Sequence, residues 1–233
     1  APENLDWHDA SLALVRAFAE HGGQRFVGVG SAMEYQASDG PCSEDQTSIR
    51  PLTLYGRCKS ALWMAIEAYA QHYGFSAAWG RVFLPYGQGD PPQRLIPSLV
   101  AAFTAGQPID VTEGSQVRDF IYAPDVADLL VNLLGAPAAT GAFNVGTGRG
   151  VAVRQVMQWL ADRFNAHDLI HLGARSRRKD EPLSLVADMG KVQRVLNWQA
   201  ATTIESGLER LMSKADTSPP GWSIGRGAGS CAS

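Results

Sequence analysis

The sequence predicts an α/β protein built on parallel strands. Helix-like and strand-like patterns alternate along the chain, which is the arrangement typical of this class. The strand-like runs are short and continuously apolar, as expected of parallel strands covered on both faces. With 233 residues, of which 45% are apolar, the chain is long enough to bury a core in one large domain or one and a half.

The first half of the chain contains three predicted helices and two predicted strands. Apolar residues at helical spacing predict a helix over 9–21, with Asp6 or Asp9 as its N-cap. The run RFVGVGS then predicts a buried strand over 25–30 that stops at Ser31. After these come a polar loop over 36–50, a helix over 55–73, a strand in FSAAWGRVFLPYG and a helix in RLIPSLVAAFTAGQ.

The second half has a less regular order. It begins with a predicted strand near 109–112, followed by a strand, turn and helix in VRDFIYAPDVADLLVNLLGA. A strand, loop and helix in GAFNVGTGRGVAVRQVMQWLADRF come next, then a short strand near 183–187 and a last helix in TIESGLERLMSKA. Residues 214–233 are rich in Gly, Ser and Pro, which predicts a disordered tail or an appended expression sequence.

Charge and composition exclude several classes of function. The 20 basic and 23 acidic residues give a net charge of −3, so we expect no nucleic acid or membrane partner. No run of 18 apolar residues and no signal-like N-terminus is present, which indicates a cytoplasmic protein. Three cysteines at unrelated spacings predict neither disulfides nor a zinc site. His167 and His171 are four apart, but the strand-like run LIHLG argues against a metal pair.

Tyr55 and Lys59 form a candidate acid/base pair in the stretch LYGRCK. Residues four apart lie on one face of a helix, so the ammonium can lie near the phenol. A tyrosine phenol is a poor base at its ordinary pKa of about 10, and a nearby positive charge favours its phenolate form. Ser31 ends a strand at the sheet edge where open α/β folds bind ligands. The same spacing also occurs on ordinary helix faces.

Several blocks of sequence resemble the extended short-chain dehydrogenase/reductase family, the NAD(P)-dependent sugar-nucleotide epimerases and dehydratases. They occur in the family's order: VGVGSAMEYQ, SEDQTSIRPLTLYGRCK, GRVFLPYGQG, VRDFIYAPDVADLL, FNVGTGRGVAVRQV and VADMGKVQRVLNW. The resemblance covers about residues 7–210. It implies the C-terminal part of a Rossmann-like parallel sheet over 1–108. A smaller, mixed α/β and mainly substrate-binding region over 109–213 would follow, from which some elements can return to the sheet.

The resemblance also implies roles for individual residues. Ser31 matches the catalytic hydroxyl, Tyr55 the acid/base, and Lys59 the residue that binds the ribose of NAD or NADP. Positions that match further cofactor or substrate contacts are Val82 for the cofactor, and Ser31, Met33, Leu84, Arg94, Leu95, Arg118 and Arg178 for a nucleotide sugar. Guanidinium groups suit its diphosphate. Alternatively, Arg118 could pair with the adjacent Asp119, and Arg178 could lie in a solvated loop.

The chain departs from the family pattern at two places. Leu84 stands where the family commonly has Asn, so the sugar cannot be inferred. The resemblance also implies roughly four strands and three helices before the predicted helix 9–21, with a Gly-x-x-Gly-x-x-Gly motif that holds the cofactor's pyrophosphate. Neither GVGSAM nor GRGAGS replaces that motif. We therefore expect a truncated form with weak or no cofactor binding.

Truncation has a predicted consequence for assembly. A strand over 25–30 without its neighbour becomes a sheet edge, which favours pairing with another chain. The helices over 9–21 and 55–73 also match those that form the family's dimeric four-helix bundle. Both features predict a homo-oligomer, most simply a dimer.

Three functions stay open at this point. The first is an NAD(P)-dependent epimerase, dehydratase or reductase acting on a nucleotide sugar. The second is an enzyme that has lost dinucleotide binding and catalyses another, oxidative reaction in the remaining cleft. The third is a non-catalytic module for sugar-nucleotide binding or assembly.

Overall fold

The computed structural model describes residues 2–36, 40–177 and 181–215. Arg178 and residues 216–233 of the predicted tail lie outside the described residues, whereas residues 214 and 215 belong to the last helix and not to a tail. The α-helices are α1 (Glu3–Glu20), α2 (Leu54–Tyr73), α3 (Leu95–Thr104), α4 (Ala123–Gly135), α5 (Val153–Phe164), α6 (Gly190–Leu196) and α7 (Ile204–Ala215). The strands are β1 (Arg25–Ser31), β2 (Ser76–Val82), β3 (Leu84–Tyr86), β4 (Ile109–Asp110), β5 (Val117–Tyr122), β6 (Gly141–Val145), β7 (Gly150–Ala152), β8 (Ile170–His171) and β9 (Ser184–Leu185).

The first sheet has the strand order β1-β2-β6, and all of its strands are parallel. One face packs against α1 and α2 through a cluster that includes Val15, Ile66 and Trp79. The other face packs against α4 through a cluster that includes Leu129 and Leu133. The predicted parallel α/β arrangement is therefore confirmed.

The second sheet is smaller and mixed. Its order is β3-β5-β7, with β9 also pairing with β5. Strand β5 is parallel to β3 and β9 but antiparallel to β7. Helices α3 and α5 pack on it around buried residues such as Leu99, Met157 and Leu160. Strands β4 and β8 form a separate pair. No helix among the described residues is long and apolar enough to cross a bilayer.

Strand β1 is less buried than its sequence predicts. Within the described parts of the chain, β1 pairs only with β2 and so lies at the edge of its sheet. Val29, near its end, is 45% exposed. Burial of β1 on both faces was therefore a wrong expectation at Val29, whereas the expected position of this strand at a sheet edge agrees with its pairing in the described residues.

Helix α1 begins earlier than predicted. It starts at Glu3, after Pro2 in the N-cap position, so Asp6 and Asp9 lie inside the helix. Nothing in the stretch ENLDWHDA interrupts a helix. The acidic residues of its first turn stabilise the helix, because their negative charge lies near the positive end of the helix dipole. Helix α2 matches its predicted bounds to one residue, with Thr53 as N-cap and Gly74 as C-cap.

Candidate active site

Ser31 lies in a tight turn at the carboxyl end of β1. The turn is a 3-10 helix over Ala32–Glu34, and Ser31 with Glu34 forms a capping box around it. The Met33 amide donates a hydrogen bond to Ser31 Oγ over 3.2 Å, and the Ser31 amide donates to Glu34 Oε1 over 2.8 Å. Ser31 is buried, so its hydroxyl is held in a defined place at the sheet edge.

The first turn of α2 packs directly on the turn that follows Ser31. Thr53 caps α2 by accepting a hydrogen bond from the Gly56 amide over 3.1 Å. A Cβ atom at Gly56 would lie only 2.3 Å from the carbonyl oxygen of Met33. Only glycine allows this close approach. The glycine after Tyr55 therefore brings that residue, which is 40% exposed, beside the Ser31 turn.

Lys59 reaches the same end of β1 from the next turn of α2. Its Nζ donates a hydrogen bond to the Val29 carbonyl oxygen over 2.8 Å and lies 5.9 Å from the centre of the Trp79 ring. Burial lowers the pKa of Lys59 from its ordinary value, and the negative charge of Glu34 opposes that shift. Val82 is the register partner of Ser31 in β2. The structure thus brings the predicted Ser31, Tyr55, Lys59 and Val82 together.

An open cavity of about 250 Å³ lies beside Tyr55 and Lys59, between the N-terminal ends of α1 and α2. Its walls are Asn4, Trp7, His8, Ser11, Tyr55, Cys58, Lys59 and Leu62. Both side chains of the candidate acid/base pair are therefore accessible to a small ligand.

A buried ion pair that the sequence reading missed lies beneath this site. Glu34 is fully buried, and its Oε2 accepts a hydrogen bond from Arg81 Nε over 3.0 Å. Its Oε1 accepts from Trp79 Nε1 over 2.9 Å. The spacing Ser31-x-x-Glu34 is a capping-box signature and was the available signal for Glu34. Arg81 carried no local signal, because its partner lies 47 positions away in the chain.

The buried polar network continues from Arg81 to the last strand of the sheet. Arg81 Nη1 donates to Tyr35 Oη over 3.2 Å, and Tyr35 Oη donates to Asn144 Oδ1 over 2.7 Å. Asn144 Nδ2 donates to the carbonyl oxygens of Cys42 and Asp188 over 2.7 and 3.0 Å. Burial raises the pKa of Tyr35, so its phenol stays a neutral donor. The network joins β1, β2 and β6 beneath the candidate site.

Arg118 is buried and bonded within the protein. Its Nη2 donates to Glu181 Oε1 over 2.6 Å and to the Pro182 carbonyl over 2.8 Å. Its Nη1 donates to the carbonyl oxygens of Val117 and Leu183 over 2.8 and 3.4 Å. The alternative of an ion pair with its sequence neighbour is wrong, because successive residues of a strand point to opposite faces.

The neighbour Asp119 instead holds a loop. Its carboxylate accepts hydrogen bonds from Thr147, through both amide and hydroxyl, and from the amides of Gly148 and Ala187. Burial raises its pKa, and these hydrogen bonds oppose that shift. The Asp119 carboxylate therefore fixes the shape of the GTGRG stretch between β6 and β7.

The other predicted substrate positions lie in three different elements. Met33 follows Ser31 in its turn, and Leu84 opens β3. Arg94 is exposed and precedes α3, donating to the Pro85 carbonyl over 3.0 Å, and Leu95 is the first residue of that helix. The Arg118 guanidinium donates its hydrogen bonds to residues other than these four. Their roles stay predictions.

The imidazoles of His167 and His171 each lie beside an aspartate, Asp162 and Asp110, at 2.7 and 2.9 Å. No group of three or more His, Cys, Asp or Glu residues in the described ranges has the geometry of a metal site.

Comparison with known proteins identifies the family. The model of the NAD-dependent epimerase/dehydratase family matches residues 7–146. A protein of Bacillus subtilis described as an uncharacterized UDP-glucose epimerase, YtcB, is 28% identical over 197 residues. The match covers 84% of this chain and 61% of YtcB. UDP-glucose 4-epimerase of Corynebacterium glutamicum is 29% identical over 216 residues, covering 84% of this chain and 65% of its own length.

A solved structure, MoeE5 in complex with UDP-glucose and NAD, is also similar. It is 30% identical, has a TM-score of 0.81, and the match covers 89% of this chain and 70% of MoeE5. The likeness confirms the predicted Rossmann-like α/β fold. The chain thus spans about two thirds of the length of these relatives. With the family model matching more than half of its residues, the chain belongs to the NAD-dependent epimerase/dehydratase family.

Proposed function

We propose that this chain carries the proton-transfer and substrate-binding part of an NAD(P)-dependent enzyme that epimerises, dehydrates or reduces a nucleotide sugar. The observation that carries the proposal is that Ser31 ends β1, while Tyr55 and Lys59, in the first turns of the helix packed on the Ser31 turn, line an open cavity. The complex of MoeE5 with UDP-glucose and NAD supports the choice of ligands.

The residues present fit the nicotinamide-ribose side of such a cofactor. Lys59 and Tyr55 line the cavity and offer an ammonium and a phenol, which suit ribose hydroxyls. Val82 adds an apolar surface next to Ser31. Residues 1–233 contain no Gly-x-x-Gly-x-x-Gly motif for the pyrophosphate. When bound, NAD(P) would accept a hydride from the sugar and return it.

The chain's own residues would handle the proton. Tyr55 would take a proton from a sugar hydroxyl at its phenolate oxygen, and Lys59 would favour that phenolate through its charge. Ser31 Oγ already accepts a hydrogen bond from the Met33 amide. Its own O–H therefore remains able to donate to the reacting oxygen of the sugar, which would hold that oxygen in line with Tyr55.

Arg118 would bind the diphosphate of the nucleotide sugar only after a change of partner. Both of its terminal nitrogens already donate to Glu181 or to backbone carbonyls. A diphosphate would therefore replace the Glu181 carboxylate at Nη2. Phosphate and carboxylate oxygens accept from a guanidinium in the same geometry, which makes this exchange chemically simple.

We also propose that α1 and α2 form a dimer interface. Three large apolar side chains on these helices are strongly exposed: Trp7 (75%), Leu14 (62%) and Met64 (67%). Covering them is a reason for two chains to associate. We expect a dimer in light scattering at micromolar concentration and a shift toward monomer in Leu14→Glu and Met64→Glu. Val131→Glu, on the exposed face of α4, is the control. A clean wild-type monomer would contradict this interface.

The function is tested by calorimetric titration with NADH. We expect weak but saturable binding, because residues 1–233 lack the pyrophosphate-binding motif. Lys59→Met should weaken it further by about tenfold or more, the value of one charge-assisted hydrogen bond. Lys191→Met is a matched control, because Lys191 also donates to a strand carbonyl, that of Ala142, over 2.8 Å and faces an aromatic ring. No heat with NADH would contradict the proposal. Retained UDP-glucose binding would then favour a module without a redox cofactor.

A further inference from the structure

On the basis of the proposed function, we propose that Glu34 is a positioning residue for the Ser31, Tyr55 and Lys59 site. Its single buried carboxylate holds both the turn that carries Ser31 and the indole that faces Lys59. Glu34 itself touches none of the reacting groups, since it lies beneath the site with no exposed surface. Its effect on the site therefore passes through its neighbours.

The first link runs to Ser31. The Ser31 amide donates to Glu34 Oε1 over 2.8 Å, while Ser31 Oγ accepts from the Met33 amide. This reciprocal pair fixes the backbone and the side chain of Ser31 together. Without the carboxylate, the Ser31 amide would be a buried donor with no acceptor, and the turn would have to move to satisfy it.

The second link runs to Lys59 through Trp79. The same Oε1 accepts from Trp79 Nε1 over 2.9 Å, and the Trp79 ring lies 5.9 Å from Lys59 Nζ. The indole also stacks on Trp63, with 5.7 Å between ring centres. Trp79 is therefore fixed at its nitrogen and its ring. It forms a rigid surface next to the Lys59 side chain.

Strand β1 has a glycine, Gly30, at the place where the Glu34 carboxylate meets the Trp79 indole. A Cβ atom at Gly30 would lie 2.1 Å from Trp79 Nε1 and 2.4 Å from Glu34 Oε1. The carboxylate and the indole thus meet directly over Gly30, at a place where no side chain fits. Arg81 completes the arrangement by donating to Oε2, so that the two oxygens accept three hydrogen bonds.

The first test is the titration of Lys59 followed by NMR on protein labelled at its lysine side chains. The chain has four lysines, so the Lys59 signal is assigned by its loss in Lys59→Met. The ionisable groups that face Lys59 are Glu34 from below, Tyr55 and Cys58 on its own helix, and His8 across the cavity. In Glu34→Gln, we expect the Lys59 midpoint to move to lower pH, because a nearby negative charge is lost.

Asp125→Asn is the matched control. Asp125 is also a buried carboxylate, and it accepts from the amide and hydroxyl of Thr202. We expect this variant to lose stability without moving the Lys59 midpoint. If Glu34→Gln also leaves that midpoint at its wild-type value, then Glu34 is a structural residue only and the proposal is wrong.

A second variant keeps the test decisive if Glu34→Gln does not fold. Glu34→Asp retains the charge beside Arg81 but withdraws the carboxylate from the Ser31 amide by one methylene. We expect hydrogen exchange at the Ser31 amide to become about tenfold faster or more. An unchanged exchange rate would overturn the proposal. Neither measurement needs cofactor or substrate, so a failure of NADH binding would contradict the proposed function without affecting these results.

Discussion

The Arg81 guanidinium and the Glu34 carboxylate form an ion pair in the core of the protein, with 3.0 Å between Arg81 Nε and Glu34 Oε2. Both side chains are buried. Arg81 also faces the Tyr35 ring, with 4.9 Å from its Cζ to the ring centre. The pair therefore links the turn after Ser31 to the middle of the first sheet.

Removing one partner of this ion pair should strongly lower the free energy of unfolding. Arg81→Met leaves the Glu34 carboxylate without its countercharge, and we expect a loss of about 3–5 kcal/mol in the free energy of unfolding. The measurement is urea denaturation. Arg94→Met is the control, because the Arg94 ion pair with Asp90 is exposed and long, at 3.5 Å. Such pairs contribute at most about 1 kcal/mol. Equal losses in the two variants would contradict the account.

Gly30→Ala tests the contact between Glu34 and Trp79. The added methyl group would collide with the Trp79 nitrogen and the Glu34 oxygen, and we expect a loss of about 1–3 kcal/mol in unfolding free energy. Gly135→Ala, at the end of α4, meets nothing within 4 Å and should be neutral or slightly stabilising. Equal stability of Gly30→Ala and Gly135→Ala would contradict the close contact over Gly30.

Glu181→Gln should strengthen nucleotide-sugar binding. The Glu181 carboxylate accepts a hydrogen bond from Arg118 Nη2, and its negative charge also repels a diphosphate. We expect the dissociation constant of UDP-glucose, measured by calorimetry at low salt, to fall by about two- to tenfold. Arg118→Met should raise it. Weaker binding in Glu181→Gln would show that Glu181 orients Arg118 for the ligand instead of competing with it.

The titration of Lys59 should make stability depend on pH. Burial lowers the pKa of Lys59 in the folded state, so between that pKa and about 10.5 the unfolded state binds more protons. The stability that depends on Lys59 is therefore fully present above the pKa that Lys59 has in the unfolded state. It is lost as the pH falls through the pKa that Lys59 has in the folded state. In urea denaturation from pH 7 to about 10, wild type should gain stability relative to Lys59→Met. A difference that does not change with pH would contradict this.

The sequence was informative where local pattern decides structure. The bounds of β1 and α2 follow from apolar spacing, and both agree with the structure to one residue. Ser31, Tyr55 and Lys59 come from segments whose order along the chain matches a known family. The start of α1 was misjudged because Asp9 resembles an N-cap, although nothing before it interrupts the helix.

Contacts between residues far apart in the chain could not be predicted from the sequence. Arg118 finds its carboxylate 63 positions away. Strand alternation directs the adjacent Asp119 to the opposite face, but no local rule identifies Glu181 as the partner. The stretch GVGSAM, which contains Gly28 and Gly30, does not replace the family's glycine motif, and the place of both glycines in β1 is explained by the indole of Trp79, which passes over both. Only the three-dimensional register of β1 with β2 reveals that contact.

The most direct test of the central claim is the rate at which the protein converts UDP-glucose in the presence of saturating NAD, followed by NMR of the sugar, because a hydride that returns to the sugar leaves no NADH to accumulate. We expect slow conversion by wild type and by Tyr73→Phe, a control at the far end of α2. Tyr55→Phe should be slower by a factor of about 10² or more, because it lacks the proton acceptor. Equal rates in all three proteins, or no conversion in any of them, would contradict a proton-transfer role for Tyr55.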